Sequence, residues 1–167
     1  MAMISVSNLT LLLTALTTAL IAGLYYAYSC SVNPGLSKLG DTEYVAAMQS
    51  INVAIVNPVF MFGFLGTVLL LPLSTYFAYR DGFSLRFWLL GAATLVYLAG
   101  SFGVTVFGNV PLNNMLADFD LQSASRDIIA SQRIKFEQPW NRLHNIRTWA
   151  SVLWLILVVL ACIDKAE

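Results

Sequence analysis

Four long apolar runs alternate with polar breaks along the chain, and each is long enough to cross a hydrocarbon core about 30 Å thick, which takes about 20 residues. The first extends from about Ile4 to Ser29. It exceeds the apolar core of a signal peptide and no Lys or Arg precedes it, so it reads as a retained membrane helix. S-V-N-P-G-L follows, where Pro34 and Gly35 are expected to end the helix. From Ser37 to Gln49 the pattern suits a short interfacial helix with Leu39, Tyr44, Val45 and Met48 on its apolar side. The second span is expected over about 53–79, kinked at Pro58 and Pro72, and a tight turn at Asp81-Gly82 leads into the third, over about 87–107. Glycines 63, 66, 91, 100 and 103 offer close helix approach. A polar stretch, 109–143, separates the third span from the fourth, over about 144–163. Within it, Leu112, Met115, Leu116 and Phe119 form an apolar stripe, and Ser123 to Gln138 suits an amphipathic helix on the bundle mouth. The expected fold is all-α, a single integral membrane four-helix bundle with a long, partly helical loop between spans three and four.

Composition narrows the function classes. The 167 residues are 58% hydrophobic and only 11% charged, where soluble domains carry about 25% charged residues. Nine basic and nine acidic side chains leave no surplus for phosphates, which argues against a nucleic-acid partner. Cys30 and Cys162 have no metal-ligand spacing and read as small buried thiols. One histidine with two scattered cysteines builds no multi-histidine copper or iron site, so no metal is expected, although a single-ligand haem through His144 stays open. No phosphate loop, C-x-x-C pair or nucleophile elbow is present. Mid-span charges, usual in channels and proton-driven transporters, are nearly absent.

Topology gathers the polar side chains that remain. The end of span one, the start of two, the end of three and the start of four share one membrane face. They bring Asn33, Gln49, Asn52, Thr105, Asn109, Asn113, His144 and Arg147 to it. His144, Arg147, Thr148 and Ser151 share one helical face, as do Gln49 and Asn52. Each has a plainer reading: His144 as a cap, Arg147 snorkelling to headgroups, the asparagines satisfying helix ends, and Trp140, Tyr25, Tyr26 and Tyr28 as interfacial aromatics. Their convergence supports a pocket. In it carboxamides offer donors and acceptors, Arg147 a fixed charge, and His144 a group that moves protons near neutral pH.

Several motifs carry a family resemblance: V-N-P-G-L after span one, M-Q-S-I-N before span two, N-V-P-L-N-N-M-L after span three and W-x3-H-x2-R-T opening span four. In this order they resemble the anthrone oxygenase-like family of small membrane proteins over nearly the whole chain. The resemblance implies four spans and, for characterised members, oxidation of a polycyclic anthrone to an anthraquinone by molecular oxygen without a known metal or flavin. Family members often carry asparagine where this chain has His144 and tryptophan where it has Leu143.

Together these readings give an expected membrane-embedded oxygenase without a cofactor, acting with O2 on an anthrone or other enolisable polycyclic phenol. His144, Arg147, Asn109 and Asn113 are its catalytic candidates. Asn33, Gln49, Asn52, Thr105, Trp140, Tyr25 and Tyr28 are its substrate-binding candidates. The expected partners are a hydrophobic small molecule and the lipid bilayer, with the glycine-bearing faces open to homo-oligomer contacts. Two other readings stand beside it: a non-catalytic protein that binds a lipid or hydrophobic ligand or supports a partner complex, and a small haem or quinone redox protein. Both termini should lie on one side. Arg80, Arg86 and Lys165 favour the cytoplasm, against Lys38, Arg126, Arg133, Lys135 and Arg142 on the other side.

Overall fold

The structure, a computed structural model, describes residues 5–164. The expected span start at Ile4 and the sidedness argument from Lys165 fall outside the described residues. Among these residues there are five helices and no strand: α1 Val6–Leu36, α2 Asp41–Ala54, α3 Pro58–Arg80, α4 Leu85–Ala117 and α5 Arg126–Ile163. All but α2 are long and apolar enough to cross a membrane. Their outward faces carry exposed Leu12, Leu16, Leu20, Val59, Phe62, Leu69, Trp149 and Ile156, a surface that suits lipid and not water.

The helices outrun the spans expected of them. α4 has 33 residues and α5 has 38, hence about 50 and 57 Å at 1.5 Å per residue, well beyond the bilayer core. The stretch expected as a polar loop, 109–143, is therefore mostly the upper ends of α4 and α5, joined by a short turn at 118–125. Pro139 lies inside α5 without ending it. Pro58 does not kink a span: it opens α3 behind Asn57, whose side chain accepts the Phe60 amide at 3.0 Å. Cys30 and Cys162, expected inside, both face outward.

The helix α1 does not stop at Pro34, because the chain widens first. Asn33 N–H donates to Tyr28 O and Val110 N–H to Thr105 O, each five residues back. These π-turns precede Pro34 and Pro111 respectively. A proline leaves the carbonyl four residues back without its donor and presses against it, and a five-residue turn rearranges that pairing. The two proline motifs are thus one backbone device used twice.

In α4 the wide turns also set direction. Tyr97, Ser101 and Asn109 are buried, with Thr105 half-buried between them, and each step is four residues. In a strict α-helix a four-residue step overshoots one turn by about 40°, so three steps would carry Asn109 about a third of a turn away. The π-turns at Leu98–Gly103 and Thr105–Asn109 take up that excess and keep the row facing inward. On α5 the buried positions Trp140, His144, Arg147, Ser151, Trp154, Val158 and Ala161 step by threes and fours, the spacing of a left-handed helix seam.

At the end of the bundle away from α2, Arg86 Nε donates to Ala161 O at 3.0 Å, and the same guanidinium donates to Asp164 O. The Thr14 hydroxyl meets Ser74 Oγ at 2.7 Å. Both ends of the described chain therefore lie on the same side as the α3–α4 turn. Where α4 crosses α5, a Cβ built at Gly100 would stand 2.6 Å from Ala150 Cβ. Gly100→Ala is expected to lower stability by roughly 1–3 kcal/mol through overpacking. Thermal unfolding in detergent measures this, and Ala150→Gly in the same chain should restore most of the loss.

Candidate functional site

Two sets of buried apolar side chains divide the molecule. A lower core within the spans includes Ile21, Phe64, Leu71, Tyr97, Trp154 and Val158. An upper cap joins Tyr44, Val45 and Met48 of α2 to Leu116, Ile129, Phe136 and Trp140. Arg133 fastens the α1–α2 connector to α5 by donating to Ser37 O, Leu39 O, Asp41 and Glu137, with its guanidinium over the Tyr44 ring. Between core and cap lies a cavity of about 400 Å³, within the roughly 300–1,000 Å³ usual for small-molecule sites.

Nine of the eleven residues singled out from the sequence line this cavity: Tyr25, Tyr28, Asn52, Thr105, Asn109, Asn113, Trp140, His144 and Arg147. Gln49 does not. Its amide donates to Leu116 O at 2.8 Å and to Phe119 O at 2.9 Å, closing the C-terminal end of α4. Asn33 does not line it either. It sits half-buried at the α1 π-turn, where its backbone N–H donates to Tyr28 O.

His144 is fully buried and both ring nitrogens are engaged. Nε2 lies 2.9 Å from Ser29 Oγ and 3.3 Å from Thr148 Oγ1, and Nδ1 lies 3.4 Å from an Arg147 NH2 group. A guanidinium only donates, so Nδ1 accepts and the proton sits on Nε2. The remaining bonds follow that direction: Nε2–H to Ser29, Ser29 to Thr148 at 3.0 Å, and Thr148 to the His144 carbonyl at 3.0 Å. The imidazole is thus held neutral in one tautomer, with its lone pair turned towards Arg147. Trp140 stacks on the ring at 5.3 Å and 11°.

Arg147 is 7% exposed and is the only ionic side chain in the lining. Among the described residues the ion pairs are those of Arg133, and Arg147 has no carboxylate partner. Its guanidinium donates to Thr105 Oγ1 at 3.3 Å and lies over the rings of Tyr25 (4.9 Å) and Trp140 (5.3 Å). Nε has no partner. A buried charge left this way costs several kcal/mol, and a negatively charged group beside it would lower that cost.

The carboxamides complete the inventory. Asn113 Oδ1 accepts Trp140 Nε1–H at 2.9 Å and fixes the indole. Asn109, 1% exposed, reaches Trp140 O with its amide at 3.4 Å and leaves Oδ1 unpaired, and Asn52 leaves its amide nitrogen unpaired. Among the lining residues, two donors (Arg147 Nε and the Asn52 amide) and one acceptor (Asn109 Oδ1) are thus buried without a partner. The sequence reading missed the apolar lining, notably Ile55, Phe60, Phe64 and Phe102, because apolar residues inside a span carry no mark of which cavity they face. It also missed Ser29, whose only signal was a hydroxyl one helix turn beyond Tyr25.

No His, Cys, Asp or Glu side chains gather in threes among the described residues. The fold and site define a multi-pass, all-helical membrane protein with an aromatic, singly cationic pocket. The chain belongs to the anthrone oxygenase family, whose model matches residues 54–157. That match includes Thr105, Asn109, Asn113, Trp140, His144 and Arg147, while Tyr25, Tyr28, Ser29 and Asn52 come from outside it. No curated protein and no solved structure matches the chain.

Proposed function

We propose that the protein is a membrane oxygenase that uses O2 and no cofactor to oxidise an anthrone or similar enolisable polycyclic phenol to a quinone. The carrying observation is Arg147: a buried cation without a counter-ion in a pocket walled by aromatic rings. A flat ring system suits those walls, and an oxygen that becomes anionic during reaction suits the guanidinium.

When the substrate oxygen takes up the guanidinium, the Nδ1 lone pair of His144 is released. It then removes a proton from the acidic carbon. Ser29 and Thr148 hold Nε2–H and orient the resulting imidazolium. Asn52 and Asn109 meet further oxygens or hydroxyls of the substrate through their unpaired amide and carbonyl. The enolate gives one electron to O2, and the radical pair combines into a peroxide anion. His144 returns its proton to make the hydroperoxide. Loss of water leaves the carbonyl, so one CH2 and one O2 become one C=O and one H2O.

The short-loop arginines Arg80 and Arg86 favour cytoplasmic termini. The test is oxygen uptake by detergent-purified, metal-analysed protein with a simple anthrone, against boiled protein to correct for autoxidation. Protein-dependent uptake with no stoichiometric metal or chromophore is expected. Absence of uptake would favour a pocket that binds a hydrophobic ligand without converting it.

A further inference from the structure

We propose that the ligand reaches the cavity sideways from the bilayer, through a mouth between the first turns of α3 and the upper part of α4, with Val106 and Val110 as its gate. This route rests on the functional reading above only in taking the ligand to be a flat, lipophilic phenol.

Twenty residues line the cavity, and the exposed ones are Val56, Leu65, Val106 and Val110, all apolar. His144, Arg147 and Asn109, by contrast, are buried at the far end of the approach. The four exposed residues sit on two stretches that scarcely touch: α3 packs along α1 and along α4 as far as its first π-turn, and makes little contact with α4 from Thr105 onward. The surface around the mouth is apolar too. Val59 and Phe107 are each 84% exposed, and neither 53–65 nor 98–117 contains a charged residue. Such a collar lies in lipid, so the open side of the cavity meets acyl chains and not water. Water-soluble, charged ligands would have to shed their hydration before reaching it. The mouth therefore selects by partitioning before the polar groups select by hydrogen bonding.

The experiment uses the full chain in phosphatidylcholine vesicles and 1-hydroxyanthraquinone, a flat phenol with no CH2 to oxidise, read by stopped-flow quenching of tryptophan fluorescence. Val106→Phe with Val110→Phe narrows the mouth, and Leu65→Phe narrows it from the α3 side. Association and dissociation should both slow about tenfold in each variant with little change in Kd, since a gate raises a barrier that both directions share. Association in the parent should follow probe per lipid and not probe per volume, and a sulfonated anthraquinone that stays in water should not bind. Unchanged association in both variants, or rapid binding of the sulfonated probe, overturns the route. If the probe enters by lipid while no anthrone is oxidised, the oxygenase reading falls and the route stands. If anthrone is oxidised and narrowing changes nothing, the route falls and the oxygenase reading stands.

Discussion

Arg147→Met will lose anthrone oxidation by about 100- to 1,000-fold, yet the variant will unfold at the parent's temperature or above it. The first half follows from transition-state charge. A preorganised donor aimed at a developing oxyanion in a dry site is worth about that factor. The second half follows from the burial of the charge. The guanidinium is buried with Nε unpartnered and without a carboxylate, and replacing such a charge by an apolar chain of similar length is commonly neutral or stabilising. Oxygen uptake and thermal unfolding on the same preparation give both numbers. Arg147→Lys separates charge from geometry: a point charge without the planar fork should recover only part of the rate. Retained activity in the methionine variant would remove Arg147 from the chemistry. A large drop in unfolding temperature would recast it as a structural residue.

The second large effect is expected at His144. His144→Ala should reduce turnover by about 100- to 10,000-fold, the contribution of a positioned general base. Ser29→Ala should reduce it less, because Thr148 still reaches Nε2. Both effects should appear in kcat more than in KM, since the imidazole acts on the carbon acid and not on its affinity. The alanine variant also leaves a gap beside Trp140, so binding of 1-hydroxyanthraquinone serves as the control that the pocket persists. Full turnover by His144→Ala would pass the base role to an asparagine or to the substrate's own ionisation.

The bundle and the convergence of polar residues were legible from simple inputs. Span count and alternation force four helix ends to one face, and polar side chains are costly enough there to stand out. Helix ends were not legible. Hydropathy falls at Asn109 and at His144, where the chain leaves the apolar zone, but the helices continue because their upper faces pack in the cap. Leu112, Leu116, Ile129 and Phe136 announce that continuation as an amphipathic pattern, and Pro34, Pro111 and Pro139 masked it. Proline breaks a helix only where the backbone cannot widen. Gln49 was misplaced for a related reason: with the top of α4 taken as loop, nothing indicated carbonyls at Leu116 and Phe119 in need of a donor. The state of His144 also required coordinates: Arg147 on the same helix face sets its tautomer, but the acceptor that holds Nε2–H is Ser29, which lies 115 positions away in the chain.

The wide turns of α4 make residue number a constraint alongside residue type. From Tyr97 to Asn109 the chain carries about one residue more than three α-helical turns need, and the π-turns absorb it, which holds Ser101, Thr105 and Asn109 in one inward row. Losing a single residue there, for example Gly103, would let a wide turn tighten to an α-turn, and the steps then left from Tyr97 to Asn109, at about 100° each, would close within about 20° of three full turns. Thr105 and Asn109 would still face inward, whereas a residue gained without a further wide turn would swing them out to lipid by about 100° and leave the spans below untouched. Within this family, loss of one residue from that stretch should therefore be tolerated better than gain of one, and a chain that has gained a residue there should have lost the pocket's polar side while keeping its membrane fold.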